Sequence, residues 1–274
     1  MLHSMRWIHI LNSDQFSFDE WILEEASQIP LSAFLPLLYH YSKVKRICII
    51  GDPRQLPPYG TNGGFDIMSL FDVYLLTGET PKMLVRQYRI PKPIADKISI
   101  HEYGGKLITI DSKDVPVEQC LLWIDVKGKE QVHDTSKRNE GEVGTLKAML
   151  PGLVTEHPLG AADGLTKSNI LSLTGYRAQL SALQKAVEAV DQAEAATIDS
   201  FQGREMPVVV FSLVGTQSVG FLEDRRRANV AVSRVTEKLY MLGDIDFWIT
   251  KTETCPLVAA LAKVAKEHNV VMSG

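Results

Sequence analysis

Thr197-Ile198-Asp199-Ser200-Phe201-Gln202-Gly203-Arg204-Glu205, the apolar run Val208-Val209-Val210-Phe211, and Arg225-Arg226-Arg227-Ala228-Asn229-Val230-Ala231-Val232-Ser233-Arg234 together decide how this chain folds. They read as a strand, a glycine turn with polar flanks, a buried strand, and an arginine-rich helix whose N-terminus Asp224 is suited to cap. That order sets guanidinium groups and a carboxylate along the edge of a parallel sheet, where phosphates are commonly handled. A basic surface helix beside an ordinary core strand has the same pattern, so the rest of the chain must choose between them.

At 274 residues the chain is long enough for one large domain or two ordinary ones. Its 45% hydrophobic and 23% charged residues are those of a globular protein rather than a disordered or collagen-like one. With a formal net charge of −4, nucleic-acid binding must come from a local basic groove and not from a global positive field. Cys48, Cys120 and Cys255 are scattered and odd in number, which argues against a disulfide framework or a zinc module and for a reducing compartment. No apolar run approaches the roughly 20 residues of a membrane span, and Met1 to Trp7 lacks a signal peptide's apolar segment. The expected setting is intracellular, nucleus or cytoplasm, with no membrane.

Outward from the opening stretch, short β-branched or apolar runs mark further strands at Trp21–Leu23, Ile47–Ile50, Leu121–Ile124, Ile170–Leu173 and Lys238–Leu242. Helical spacing predicts helices over Leu31–Tyr41, Phe65–Leu76, Lys92–Ile100, from Asn139 to about Leu150, Arg177–Val190 and Pro256–His268. Lys127–Arg138 reads as a charged loop and Gly152–Leu165 as a surface connection. Thr77-Gly78-Glu79-Thr80-Pro81 is the natural linker, giving domains of 1–78 and 82–274.

Two of the strands deliver polar motifs to one edge of a βαβ unit. Trp21–Leu23 runs into Glu24-Glu25-Ala26-Ser27-Gln28, where one carboxylate could help hold Mg²⁺ and its neighbour orient a water. A solvated glutamate pair opening a helix looks the same. Ile47–Ile50 ends in Gly51-Asp52-Pro53-Arg54-Gln55-Leu56-Pro57-Pro58, in which Gln55 could sense a terminal phosphate or simply belong to a proline-rich turn. Arg89, in Gln87-Tyr88-Arg89, is a guanidinium fixed beside a proline near the linker. For nucleic acid, Lys43, Lys45, Arg46, Lys137 and Arg138 are the basic candidates, although such clusters are commonly solvated faces.

In order and spacing these five motifs resemble motifs II to VI of superfamily 1 helicases, in the branch containing the nonsense-mediated-decay RNA helicase, senataxin and related helicase-nucleases. The resemblance covers the chain from about Trp21 to Asp244. It implies an α/β, RecA-like P-loop NTPase fold of parallel sheets flanked by helices. Residues 1–78 would be the C-terminal part of a first RecA-like domain and residues 82–274 a complete second one. It also implies ATP and Mg²⁺ as cofactors, and single-stranded RNA or DNA, with protein partners, as what the chain binds. By the same resemblance Glu24 would help hold Mg²⁺, Glu25 would polarise the attacking water, and Arg89 and Arg234 would reach the γ-phosphate. Gln55, Tyr88, Gly203 and Glu205 would line the nucleotide site.

Three features depart from the pattern. Glu24 stands where aspartate is usual, and Ser233-Arg234-Val235 replaces Thr-Arg-Ala. No GxxxxGK[ST], the loop whose amides and lysine cradle phosphates, occurs in the sequence. The expectation is therefore a 5′-3′ helicase or translocase, incomplete as given, with little or no ATPase activity of its own. The alternative is a catalytically inactive nucleic-acid-binding or regulatory module.

Overall fold

The computed structural model describes residues 19–41, 43–58, 60, 67–158 and 168–274, and the chain divides into two compact units, Met1–Lys82 and Met83–Gly274.

In the first unit β1 (Glu20–Leu23), α1 (Leu31–His40), β2 (Arg46–Ile49) and α2 (Leu70–Leu76) follow one another. The strands run parallel, with Trp21 opposite Ile47 and Leu23 opposite Ile49. Each ends in a turn bonded to the other strand, since the Ala26 amide donates to the Ile50 carbonyl and the Ile50 amide to that of Leu23. Among the described residues these two strands pair only with each other, and Ile22 is 68% exposed. Helix α2 opens on a capping box in which the Ser69 hydroxyl accepts from the Asp72 amide and the Asp72 carboxylate from the Ser69 amide. Its predicted first turn, from Phe65, falls partly outside the described residues.

The second unit contains β3 (Arg86–Gln87), α3 (Lys92–Glu102), β4 (Ile108–Thr109), α4 (Val117–Cys120), β5 (Leu121–Asp125), β6 (Gln131–His133), β7 (Ser136–Arg138) and α5 (Glu140–Glu156). It continues with β8 (Ile170–Thr174), α6 (Arg177–Val187), β9 (Ala193–Thr197), β10 (Met206–Ser212), α7 (Arg225–Val232), β11 (Val235–Gly243), α8 (Ile245–Trp248), α9 (Pro256–Glu267) and β12 (Val271–Ser273). Six strands form one sheet in the order β12-β5-β11-β10-β8-β9, and every pairing in it is parallel.

Strands β8 and β10 and the Leu239–Gly243 half of β11 are buried almost throughout because both faces of the sheet are covered. Val208 and Val210 pack with Ile170, Tyr240 and Leu242 against Val143, Leu146, Leu150 and Leu153 of α5 and Leu183 and Val187 of α6. Val209, Phe211, Leu239 and Met241, the alternate positions, are equally buried and face away from that cluster. This is the RecA-like arrangement of a parallel sheet flanked by helices.

Two sequence expectations needed correction here. Helix α5 runs through Pro151 and Gly152 to Glu156 instead of stopping near Leu150. Leu153 is buried on the stripe begun by Val143, Leu146 and Leu150, and that packing outweighs the weak helix propensity of the Pro-Gly pair. The rest of the predicted connection, 159–165, lies outside the described residues. The charged segment Lys127–Arg138 is not a plain loop, since β6 and β7 form an antiparallel hairpin with Asp134 in the left-handed region at its turn.

Candidate functional site

The opening stretch makes two crossings of the sheet. After β9 the chain leaves the carboxyl ends of the strands and passes through Ile198–Glu205 to the amino end of β10. After β10 it leaves the carboxyl ends again, and α7 brings it to the amino end of β11. Contacts join the two crossings at both ends. At the carboxyl side the Arg227 guanidinium lies 3.8 Å from the Asp199 carboxylate. At the amino side Arg234 Nη1 donates to the Arg204 carbonyl at 3.1 Å, and the Met206 amide donates to the Arg234 carbonyl at 2.9 Å.

Arg89, Glu205 and Arg234 come together at this amino end. The Arg89 Nε pairs with the Glu205 carboxylate, and their side chains are 40% and 52% exposed. Arg234 is only 2% exposed and is held against the end of α7, with Nε donating to the Val230 carbonyl at 3.0 Å and Nη2 to the Ser233 hydroxyl at 2.9 Å. A buried guanidinium is tolerated because its nitrogens donate to two backbone carbonyls and a hydroxyl. Tyr88 is exposed beside Arg89, and Gly203 takes a φ of +79°, which L-residues rarely adopt, at the turn leading to Glu205.

The other guanidiniums of the Arg-rich helix bond to groups of the same chain. Arg225 binds the Glu102 carboxylate and the His101 carbonyl of α3, and Arg226 binds Asp224. Asp224 caps α7 by accepting from the Arg226 amide at 3.1 Å. Burial works to raise its carboxyl, but Arg226 and Arg227 outweigh burial and hold it below the ordinary value.

The first unit places its motifs on adjacent turns. Gly51 packs so closely on the Glu24-Glu25 turn that a Cβ would come within 2.9 Å of the Ser27 backbone nitrogen. Glu25 has a φ of +51° and accepts from Gln28 Nε2 at 2.7 Å. Glu24 is exposed, and Gln55, half-buried, donates to Asp52 Oδ2 at 3.1 Å. Of the basic candidates, Lys45 pairs with Asp19, Arg46 with Glu20, Lys137 with Glu130 and Arg138 with Glu140.

Two carboxylates unseen in the sequence reading clasp the loop that follows β10. Glu142 on α5 is completely buried, and its oxygens accept from the Ser212 hydroxyl (2.5 Å), the Val214 amide (2.9 Å) and Asn139 Nδ2 (3.1 Å). Burial pushes its carboxyl up to about 8 against those donors. Glu130 accepts from the Thr216 and Gln217 amides and from Lys137 Nζ. Burial opposes its ionisation, yet these donors hold it below the ordinary carboxylate value. Between the two, Val214 is held at a φ of +65°, an uncommon conformation for a β-branched residue. The only sequence signal was the Asn139-x-x-Glu142 spacing. Asn139 does cap α5, but the Glu142 side chain turns inward to β10.

The fold is that of a RecA-like α/β domain. The chain belongs to the family described as "AAA domain", matched over residues 67–246, and within it to the superfamily 1 helicases of the nonsense-mediated-decay and senataxin type. It is similar to "DNA polymerase alpha-associated DNA helicase A" of Saccharomyces cerevisiae, 29% identical over 270 residues, covering 84% of this chain and 38% of that protein. Against "Helicase sen1" of Schizosaccharomyces pombe the identity is 29% over 257 residues, covering 84% and 15%. Against "Regulator of nonsense transcripts 1" of Dictyostelium discoideum it is 28% over 286 residues, covering 95% and 21%. The chain thus spans 38% or less of these relatives. The family is one that generally uses nucleotide and Mg²⁺. Among the described residues no cluster of three or more metal-binding side chains occurs. Glu24 alone is in keeping with Mg²⁺, which commonly takes one or two carboxylates together with substrate phosphates.

Proposed function

We propose that this chain supplies the second RecA-like domain, residues 82–274, and the tail of the first, residues 1–78, of an ATP-dependent superfamily 1 helicase or translocase acting on single-stranded RNA or DNA. The observation that carries the reading is the meeting of Arg89, Glu205 and Arg234, three residues from separate segments, at the amino end of β10 and β11. Bound nucleotide would bring phosphate charge for the two guanidiniums to neutralise. Arg89 is the accessible cation and Arg234 the pre-positioned one, with Glu205, Gly203 and Tyr88 bordering the site. On the first unit Glu24 would hold Mg²⁺, Glu25 would orient water and Gln55 would report the terminal phosphate.

The nucleic-acid surface lies at the opposite ends of the strands in this proposal, where ligands of open α/β sheets bind. The clasped loop 213–219, the hairpin β6–β7 and the N-terminus of α6 meet there. The two crossings tied by Arg227–Asp199 and Arg234–Arg204 connect that surface to the nucleotide residues through continuous backbone. No helix among the described residues is long and apolar enough to cross a membrane.

Titration of the chain with a fluorescent Mg·ATP analogue tests the nucleotide half. Arg89→Ala, at a partly exposed side chain, should leave the unfolding midpoint unchanged and weaken binding about 10- to 100-fold, the worth of a charge-assisted hydrogen bond. Equal affinity in the variant and the parent would refute the assignment.

A further inference from the structure

Phe221 sits in the short turn Gly220–Glu223 between the clasped loop and α7, and its side chain is 42% exposed. The ring is nevertheless fixed. Gly220 has a φ of +60°, and a Cβ there would overlap the Tyr176 hydroxyl, so only glycine lets the backbone pass beneath that buried ring. Tyr176 then packs on Phe221 with centroids 5.1 Å apart and planes at 55°. The Arg227 guanidinium lies 5.3 Å from the Phe221 centroid and is itself only 8% exposed, steadied by Asp199 and Asp224. Lys137 Nζ borders the same turn, bonded to the Ser218 hydroxyl at 2.7 Å.

An exposed aromatic ring is ordinary by itself. This one is backed by a second ring, braced by a buried cation, flanked by a lysine and placed at the carboxyl ends of a parallel sheet. The loop leading into the turn is polar at Thr216, Gln217 and Ser218, whereas the centre of a protein–protein interface is ordinarily apolar. A planar aromatic face held among charged and polar groups fits a nucleobase.

We propose that Phe221 is a stacking platform for one base of a single strand lying across the carboxyl ends of β8 and β10. This rests on the nucleic-acid reading above and adds to it the residue on which a base is held. Stacking of this kind tolerates any base, because every base offers a π-face.

The test is fluorescence anisotropy with end-labelled oligothymidylate and oligouridylate, comparing the parent chain with Phe221→Leu and Phe221→Trp. Phe221→Leu should weaken binding about 5- to 100-fold, the range for one lost base stack. The slope of affinity against salt should not change, because no phosphate contact is removed. Phe221→Trp should restore affinity, and an oligonucleotide with every base removed should bind the parent and Phe221→Leu equally. A parent that binds while Phe221→Leu binds within about twofold of it, at an unchanged unfolding midpoint, overturns the platform alone. A parent that shows no salt-dependent binding overturns the nucleic-acid reading as well.

Discussion

Replacing Glu142 with glutamine isolates the most heavily loaded polar group in the fold. The carboxyl is fully buried, accepts from Ser212, Val214 and Asn139, and forms no ion pair among the described residues. Burial disfavours the charged form more than the Ser212 hydroxyl and the Val214 and Leu213 amides favour it, so the carboxyl is raised from 4.5 to about 8. The folded chain therefore keeps a proton that the unfolded chain releases between those values. Stability is fully present below the unfolded value and falls as pH rises towards the folded one, with a slope approaching about 1.4 kcal/mol per pH unit. Across the whole window the loss is on the order of 5 kcal/mol. Glutamine is nearly isosteric and does not titrate. At pH 5 the variant should be less stable than the parent by about 1 kcal/mol, the worth of one mismatched hydrogen bond. At pH 8.5 it should be the more stable of the two. Urea unfolding of both proteins from pH 5 to 8.5 gives the difference directly. A parent whose stability relative to the variant is flat or rises over that range would refute the assignment of a neutral, buried Glu142.

Other substitutions test the neighbouring geometry. Gly220→Ala should cost about 1–3 kcal/mol in urea unfolding, because it combines a left-handed φ with overlap on Tyr176. A neutral effect would mean the turn is free to relax. Arg234→Ala should destabilise the second unit by about 2–4 kcal/mol, since Arg204 and Val230 lose a buried charged donor. An unchanged unfolding midpoint would show that these bonds contribute nothing net. Arg225→Met, which keeps the aliphatic stem but drops the link from α7 to Glu102, should cost about 0.5–2 kcal/mol, less than Arg234→Ala because Arg225 is half exposed. The reverse order of the two effects would contradict the burial argument.

The strands of the second unit were readable because a parallel sheet covered on both faces leaves short, uninterrupted apolar runs such as Val208–Phe211 and Ile170–Leu173. The missed strands lack that signature. β12 is three residues long and owes its strand character to pairing with β5, while β3 and β4 form a two-residue ladder. In the hairpin β6–β7 the first strand is exposed and the second half-buried along its whole length, so no alternation marks it. The end of α5 was hidden by Pro151-Gly152, whose local preference is overridden by the burial of Leu153.

At the candidate site, motif order pointed to Arg89, Glu205 and Arg234, and distance along the chain gave no means of seeing that Arg89 pairs with Glu205. The burial of Arg234 was equally hidden, because arginine is ordinarily exposed and acceptors brought close by folding, among them the carbonyls of Val230 and Arg204, make its burial tolerable. Glu130 lies in a charged segment and Glu142 in the first turn of a predicted helix, where nothing in the sequence marks burial; they clasp an inner loop because β10 ends beside them.

Anisotropy titration of a labelled single-stranded oligonucleotide with the 274-residue chain, repeated over a series of salt concentrations, addresses the functional assignment most directly. Saturable binding at micromolar protein whose affinity falls linearly with the logarithm of salt is expected of a domain that tracks a phosphate backbone. A flat signal at every salt concentration would contradict the assignment of this fold to nucleic-acid translocation.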